Sequence, residues 1–147
     1  MKRLYPILII LFLFACTKEE TVTEDLAPEP AISFVSITPD TVENFKNSVT
    51  LTINYSDNNG DLGFEDPDNY ALWVKDSRLD SADYYHVPPL APVGQNFIIN
   101  GQLDIVLNSM FILGNGQEER ITLSIKIMDR AKNWSNMVNS TPITIKK

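Results

Sequence analysis

The chain has 147 residues, 12 basic against 19 acidic side chains, a net charge of −7 and one cysteine. This balance excludes a nucleic-acid binder, which needs clustered Lys and Arg to meet phosphates, and leaves no basic patch for anionic lipids. The lone cysteine excludes an internal disulfide, and with one histidine there is no Cys/His zinc pattern.

Lys2 and Arg3 form a short positive start, and Leu4 to Ala15 is an almost unbroken apolar run of twelve residues. A membrane-spanning helix needs about 20, so residues 1–15 read as a secretory signal ending on a small residue. Cys16 follows. As a free thiol it would be a reactive leftover in an oxidising compartment; acylated, it is an anchor, because several acyl chains hold a membrane stably where one does so marginally. Leu13-Phe14-Ala15-Cys16 resembles the lipobox of bacterial lipoproteins, with Phe14 bulkier than the usual residue. The resemblance implies a diacylglycerol on Cys16. Thr17-Lys18-Glu19-Glu20 resembles the lipoprotein export signal of Bacteroidetes-type bacteria, which implies the outer membrane and its cell-surface leaflet.

Residues 16–30 are polar, acidic and end in Pro28 and Pro30. Too few apolar residues are present to pack, so the expectation is a disordered tether. Without Lys2 and Arg3 the charge becomes −9, from ten basic and 19 acidic residues.

Residues 31–147 are the size of one domain. Ile32-Ser33-Phe34 and Val35-Ser36-Ile37 alternate in opposite phases, which predicts a bulge between Phe34 and Val35. Val49, Leu51, Ile53 and Tyr55 alternate with Thr50, Thr52, Asn54 and Ser56, the pattern of a half-buried strand. Tyr70, Leu72 and Val74 oppose Ala71, Trp73 and Lys75. Phe97-Ile98-Ile99 leads to Asn100-Gly101, read as a turn pair, and then to Leu103, Ile105 and Leu107. Asp104 to Ile112 is the one place a helical turn could hide. Gly114-Asn115-Gly116 is a turn ahead of Ile121, Leu123, Ile125 and Ile127. Pro142 puts the closing run, Met137 to Ile145, at a sheet edge or at a strand start.

About seven short strands with turns between them predict an all-β fold, a β-sandwich with Greek-key connections; a small barrel is the rival. The order resembles an immunoglobulin-like or fibronectin-III-like domain, without the Cys–Trp–Cys signature. That resemblance implies that the loop after 49–55 and the loop after 120–128 lie at one end, so Asp129 approaches Asp57 and Asp61.

Ser56 to Asn69 holds four Asp and one Glu. Crowded carboxylates repel unless a cation or water separates them. Asp57, Asn59 and Asp61, at i, i+2 and i+4, can turn three oxygens to one point, as calcium requires. The helical calcium loop is not the match, because Leu62 replaces its Gly and no helices flank it. The stretch is similar instead to the D-x-(D/N)-G-D-x-G turn of Bacteroidetes surface lipoproteins with immunoglobulin-like domains. Those domains carry a later D-x-A-G-N-x-S-N element, here Asp129 to Asn136 with Lys132 in place of Gly. The candidate metal set is Asp57, Asn59, Asp61 and Asp129, with Asp66 and Asp68 as further carboxylates; the competing reading is a solvated turn built from ordinary turn residues. Calcium would bind with a dissociation constant on the order of 10⁻⁴ to 10⁻³ M and rigidify the loop.

No catalytic residues are assigned. His86 has no nucleophile elbow or free thiol to serve. Trp73, Tyr84, Tyr85 and Trp134 could stack on sugars if exposed, and fill the core otherwise. The expectation is a lipid-anchored, non-catalytic binding or structural module of the outer membrane, its protein or glycan partner unknown. The alternatives are a glycan-binding accessory lipoprotein of a surface uptake system and a small hydrolase.

Overall fold

In the computed structural model the described residues are 28–147; the 1–15 signal, Cys16 and most of the 16–30 tether lie outside them. Pro28 and Glu29 are exposed while Pro30 is buried, so packing begins just ahead of Ala31.

The described residues form no helix and ten strands. These are β1 (Ala31–Thr38), β2 (Thr41–Glu43), β3 (Val49–Asp57), β4 (Leu72–Asp76), β5 (Asp83–Tyr85), β6 (Ile99–Leu107), β7 (Glu118–Ile121), β8 (Leu123–Ile127), β9 (Val138–Asn139) and β10 (Ile143–Lys146). They make three sheets, in the orders β1-β3-β6, β2-β10-β7 and β5-β4-β8-β9. All pairings are antiparallel except β2 with β10. One apolar cluster draws on all three sheets, consistent with a β-sandwich. On β3 the inward row is Val49, Leu51 and Ile53; on β7 and β8 it is Ile121, Leu123, Ile125 and Ile127; all are buried.

Ten segments replace the expected seven or so because three runs are interrupted. Thr122 alone separates β7 from β8: its carbonyl accepts from the Ser77 N–H and its N–H donates to Ser77 Oγ, which spends its backbone groups sideways. Pro142 stands just ahead of β10, and the chain between β9 and β10 leaves the ladder there. The third break falls at Pro39-Asp40, between β1 and β2.

The expected bulge is present, since the β1–β3 register shifts between Phe34 and Ser36 and leaves Val35 unpaired. Two expectations fail. Asn100-Gly101 is not a turn: both residues lie inside β6, opposite Ser56 and Tyr55. A Cβ on Gly101 would stand 2.6 Å from the Tyr55 hydroxyl, so the glycine makes room for the ring across it. The stretch from Asp104 to Ile112 holds no helical turn; it finishes β6 and runs into loop. The 70–75 alternation also slips at its start, where Ala71 is buried and Tyr70 exposed.

Candidate functional site

Strand period places the two central acids. Asp57 is the next inward position after Val49, Leu51, Ile53 and Tyr55, and Asp129 is the next after Ile121 to Ile127. Both are buried, at 1% and 0% exposure. A buried carboxylate needs donors around it, and each finds them in its own loop. Asp57 Oδ2 accepts from the Asp61 N–H at 2.7 Å and Oδ1 from the Asn59 N–H at 3.4 Å. Asp129 Oδ1 accepts from the Asn133 N–H at 2.7 Å and Oδ2 from Asn133 Nδ2 at 2.9 Å. These are side-chain locks on tight turns.

The two loops are stitched together. The Arg130 N–H donates to the Asp61 carbonyl at 3.0 Å, and Leu62 and Asp129 form an isolated antiparallel bridge. The Arg130 guanidinium donates to the carbonyls of Gly63 at 2.9 Å and Gly60 at 3.3 Å. Gly60 and Gly63 adopt φ of 67° and 82°, and a Cβ at Gly63 would lie 2.1 Å from the Pro88 carbonyl oxygen. Only glycine fits there. Lys132, which stands where the resembled element has Gly, takes the left-handed conformation itself, with φ 73°, and rests its ammonium 4.4 Å from the centre of the Phe64 ring.

Asp61 is the unsettled member. Its Oδ1 is buried with no hydrogen-bond partner. Burial first, then the charges of Asp129 and Asp57, push its carboxyl above the ordinary range, against the opposing pull of Arg130 and the Ala131 N–H. So the structure brings Asp57, Asp61 and Asp129 into one corner. It does not bring Asp66 and Asp68 there: both are exposed, and Asp66 closes a separate turn by accepting from the Asp68 N–H at 3.0 Å and Asn69 Nδ2 at 3.2 Å. Among the described residues no group of three or more Asp, Glu, His or Cys is arranged to hold a metal ion. The donor chemistry suits a hard cation, but Asp57 and Asp129 face amides, which leaves Asp61 Oδ1 as the open oxygen.

The remaining polar residues of the 129–136 element, and Ser140 beyond it, have framework roles that residue type alone did not reveal. Ser135 exchanges hydrogen bonds with Ile127, N–H to carbonyl at 2.8 Å and Oγ accepting from the Ile127 N–H at 3.0 Å. Ser140 does the same with Leu123, at 2.8 and 2.9 Å. Asn136 reaches across to β1, accepting from the Ile32 N–H and donating to the Ile32 carbonyl, both at 2.9 Å. The readable signal was phase: each acid continues an apolar row.

Of the four aromatic candidates, three share a region on the polar side of the β5-β4-β8-β9 sheet. Tyr84 pairs with Trp73, and Trp73 with Lys126. Trp134 bridges to Met128 beside Lys126. The Lys126 ammonium lies 4.8 Å from the Trp73 ring and 4.9 Å from the Trp134 ring. Tyr84 is 54% exposed. Tyr85 points the other way: it packs against the core, and burial followed by the Asp83 charge raises its hydroxyl above the usual range. His86 Nδ1 lies 3.0 Å from the Asn69 carbonyl oxygen. An open, mostly apolar depression of about 570 Å³ on the β1-β3-β6 sheet is lined by Ile32, Ser33, Asn54, Tyr55 and Gln102 among others, and by no acidic residue or histidine.

Comparisons with protein-family models, with curated proteins and with solved structures returned no match.

Proposed function

We propose that this chain is a lipid-anchored cell-envelope protein whose single domain, an immunoglobulin-like sandwich with Greek-key connections, is a non-catalytic binding or structural module. The observation that carries the anchor is Leu13-Phe14-Ala15-Cys16 at the end of a twelve-residue apolar run. Lys18-Glu19-Glu20 supports the outer membrane of a Bacteroidetes-type bacterium, with the domain facing the medium. The immunoglobulin-like reading is supported by the β1-β3-β6 order and by the meeting of the 57–63 and 129–136 loops at one end. The structural role is supported by the use of Asp57, Asp129, Ser135 and Asn136 as locks. Replacing Cys16 with Ser tests the anchor: the variant is expected in the soluble fraction, and a variant that still sediments with the membranes overturns the reading.

A calcium ion at the Asp57, Asp61 and Asp129 corner is favoured by one observation, the buried and unpartnered Asp61 Oδ1. Such an ion would share its carboxylates with the loop amides and hold the two loops together. Glycan binding is favoured by another, the shared region of Tyr84, Trp73 and Trp134 around Lys126, whose rings offer faces to sugar C–H groups. Glycan-array binding lost on Trp73→Ala and Tyr84→Ala tests it; no binding by the unaltered chain removes it.

A further inference from the structure

Five of the six outer strands of these sheets are short or blocked. β9 has two residues, β5 and β2 three each and β7 four, too short to template a partner strand. β1 is bulged at Val35 and clamped by Asn136 on both backbone groups of Ile32. The sixth, β6, is nine residues long and pairs only with β3 among the described residues. It has no Pro, no Lys and no bulge, and its one charge is Asp104. Its residue Val106 is 58% exposed, and a cleft of about 190 Å³ runs beside it, between Leu103, Ile105 and the Tyr85–Pro88 segment.

We propose that a second copy of this chain pairs with β6, antiparallel about a two-fold axis at Leu103, to give one continuous six-stranded sheet across the pair. Charge and phase select this occupant and this register. Pairing centred on Leu103 puts Asn100 opposite Val106 and Gln102 opposite Asp104 on the polar face, and Ile99 opposite Leu107 and Gly101 opposite Ile105 on the apolar face. On the inward face no polar side chain meets an apolar one. Neither Asp104 meets its counterpart, whereas sliding one strand by two residues to centre the axis on Asp104 would oppose the two carboxylates. Such an isologous contact uses both open edges and leaves β1 at each end, where the Asn136 clamp stops further growth. The net negative charge of each copy opposes association at long range, but salt screens that repulsion beyond about 8 Å, and the strand itself carries only Asp104.

The test uses the full chain expressed in a Gram-negative host. A double variant, Asn100→Cys with Val106→Cys, places its two thiols roughly 20 Å apart within one strand, too far to join each other, but opposite one another across the axis. Mild oxidation is expected to give a disulfide-linked dimer from the double variant and from neither single variant, with the unaltered chain as the Cys16 control. In that background Gln102→Lys, which faces Asp104 twice, should raise the dimer yield, and Gln102→Asp should lower the association constant about twofold to thirtyfold. Sedimentation of Gln102→Lys and Gln102→Asp without added cysteines, alongside their melting curves, keeps the test independent of the thiols. A double variant that stays monomeric, equal cross-linking by a single variant, indifference to both charge changes, or a cross-linked band of some other mass each overturns the proposal.

Discussion

Asp61 holds a carboxylate that folding makes harder to ionise, since burial and the neighbouring Asp129 and Asp57 raise its pKa. A group raised in the fold contributes stability below its unfolded value near 3.8 and loses it as pH climbs through the folded value. At neutral pH the ionised Asp61 is therefore a net cost. Asp61→Asn should raise the melting temperature in chelator at pH 7 to 8, with the advantage shrinking toward pH 4; no gain at neutral pH would contradict the assignment. Gly63 makes the opposite case. At φ 82°, with the Pro88 carbonyl where a Cβ would sit, Gly63→Ala should destabilise by at least ~2 kcal/mol, read from chemical denaturation. Residue identity foretold the acids but not their duties. Asp57 and Asp129 are found by following the inward phase of their strands, while the contribution of Arg130 needed the carbonyls of Gly60 and Gly63 in space.

Strands were the legible elements, because every core row from Val49 to Ile53 and from Ile121 to Ile127 writes its period into the sequence. What escaped was where strands break and where they run on. Asn100-Gly101 has the composition of a turn, yet ladder pairing to β3 and the Tyr55 ring keep it extended. The Asn136 clamp joins residues 104 apart in the chain, a distance no local pattern spans. Asn136→Ala should cost ~1 kcal/mol and speed amide exchange at Ile32 without altering exchange in β6. At the far end, Arg78 pairs with Asp76 at 2.7 Å and with Glu119, and donates to the Phe111 carbonyl at 2.9 Å. The Gly114 N–H, then the Leu113 N–H, and then Arg78 lower the Glu119 pKa below its ordinary 4.5. A lowered carboxyl stabilises above the unfolded value and loses that contribution as pH falls through the folded one. Glu119→Gln should therefore melt lower than the parent at pH 6 to 7, and the two should converge on acidification below about pH 4.

For the molecule as a whole, fold class was readable and molecular role was not, since a sandwich serves many functions and the role lives in a site grafted onto it. The calcium question is decided on the intact domain. Millimolar calcium should raise the melting temperature of the parent and leave Asp61→Asn unmoved; no shift in the parent dismisses the ion. The direction of the first strand carries one more consequence. Ala31 pairs with Ser56, so the polypeptide enters beside the acidic loops, and Lys146, opposite Glu118, leaves at the other pole. Under the anchor proposed at Cys16, the carboxylate corner would be the pole nearer the bilayer. The opposite pole, where Phe45 stacks on Phe111 at 5.7 Å and stands 65% bare, would under that same proposal face outward, so a visitor from the medium would touch an aromatic tip before any acid.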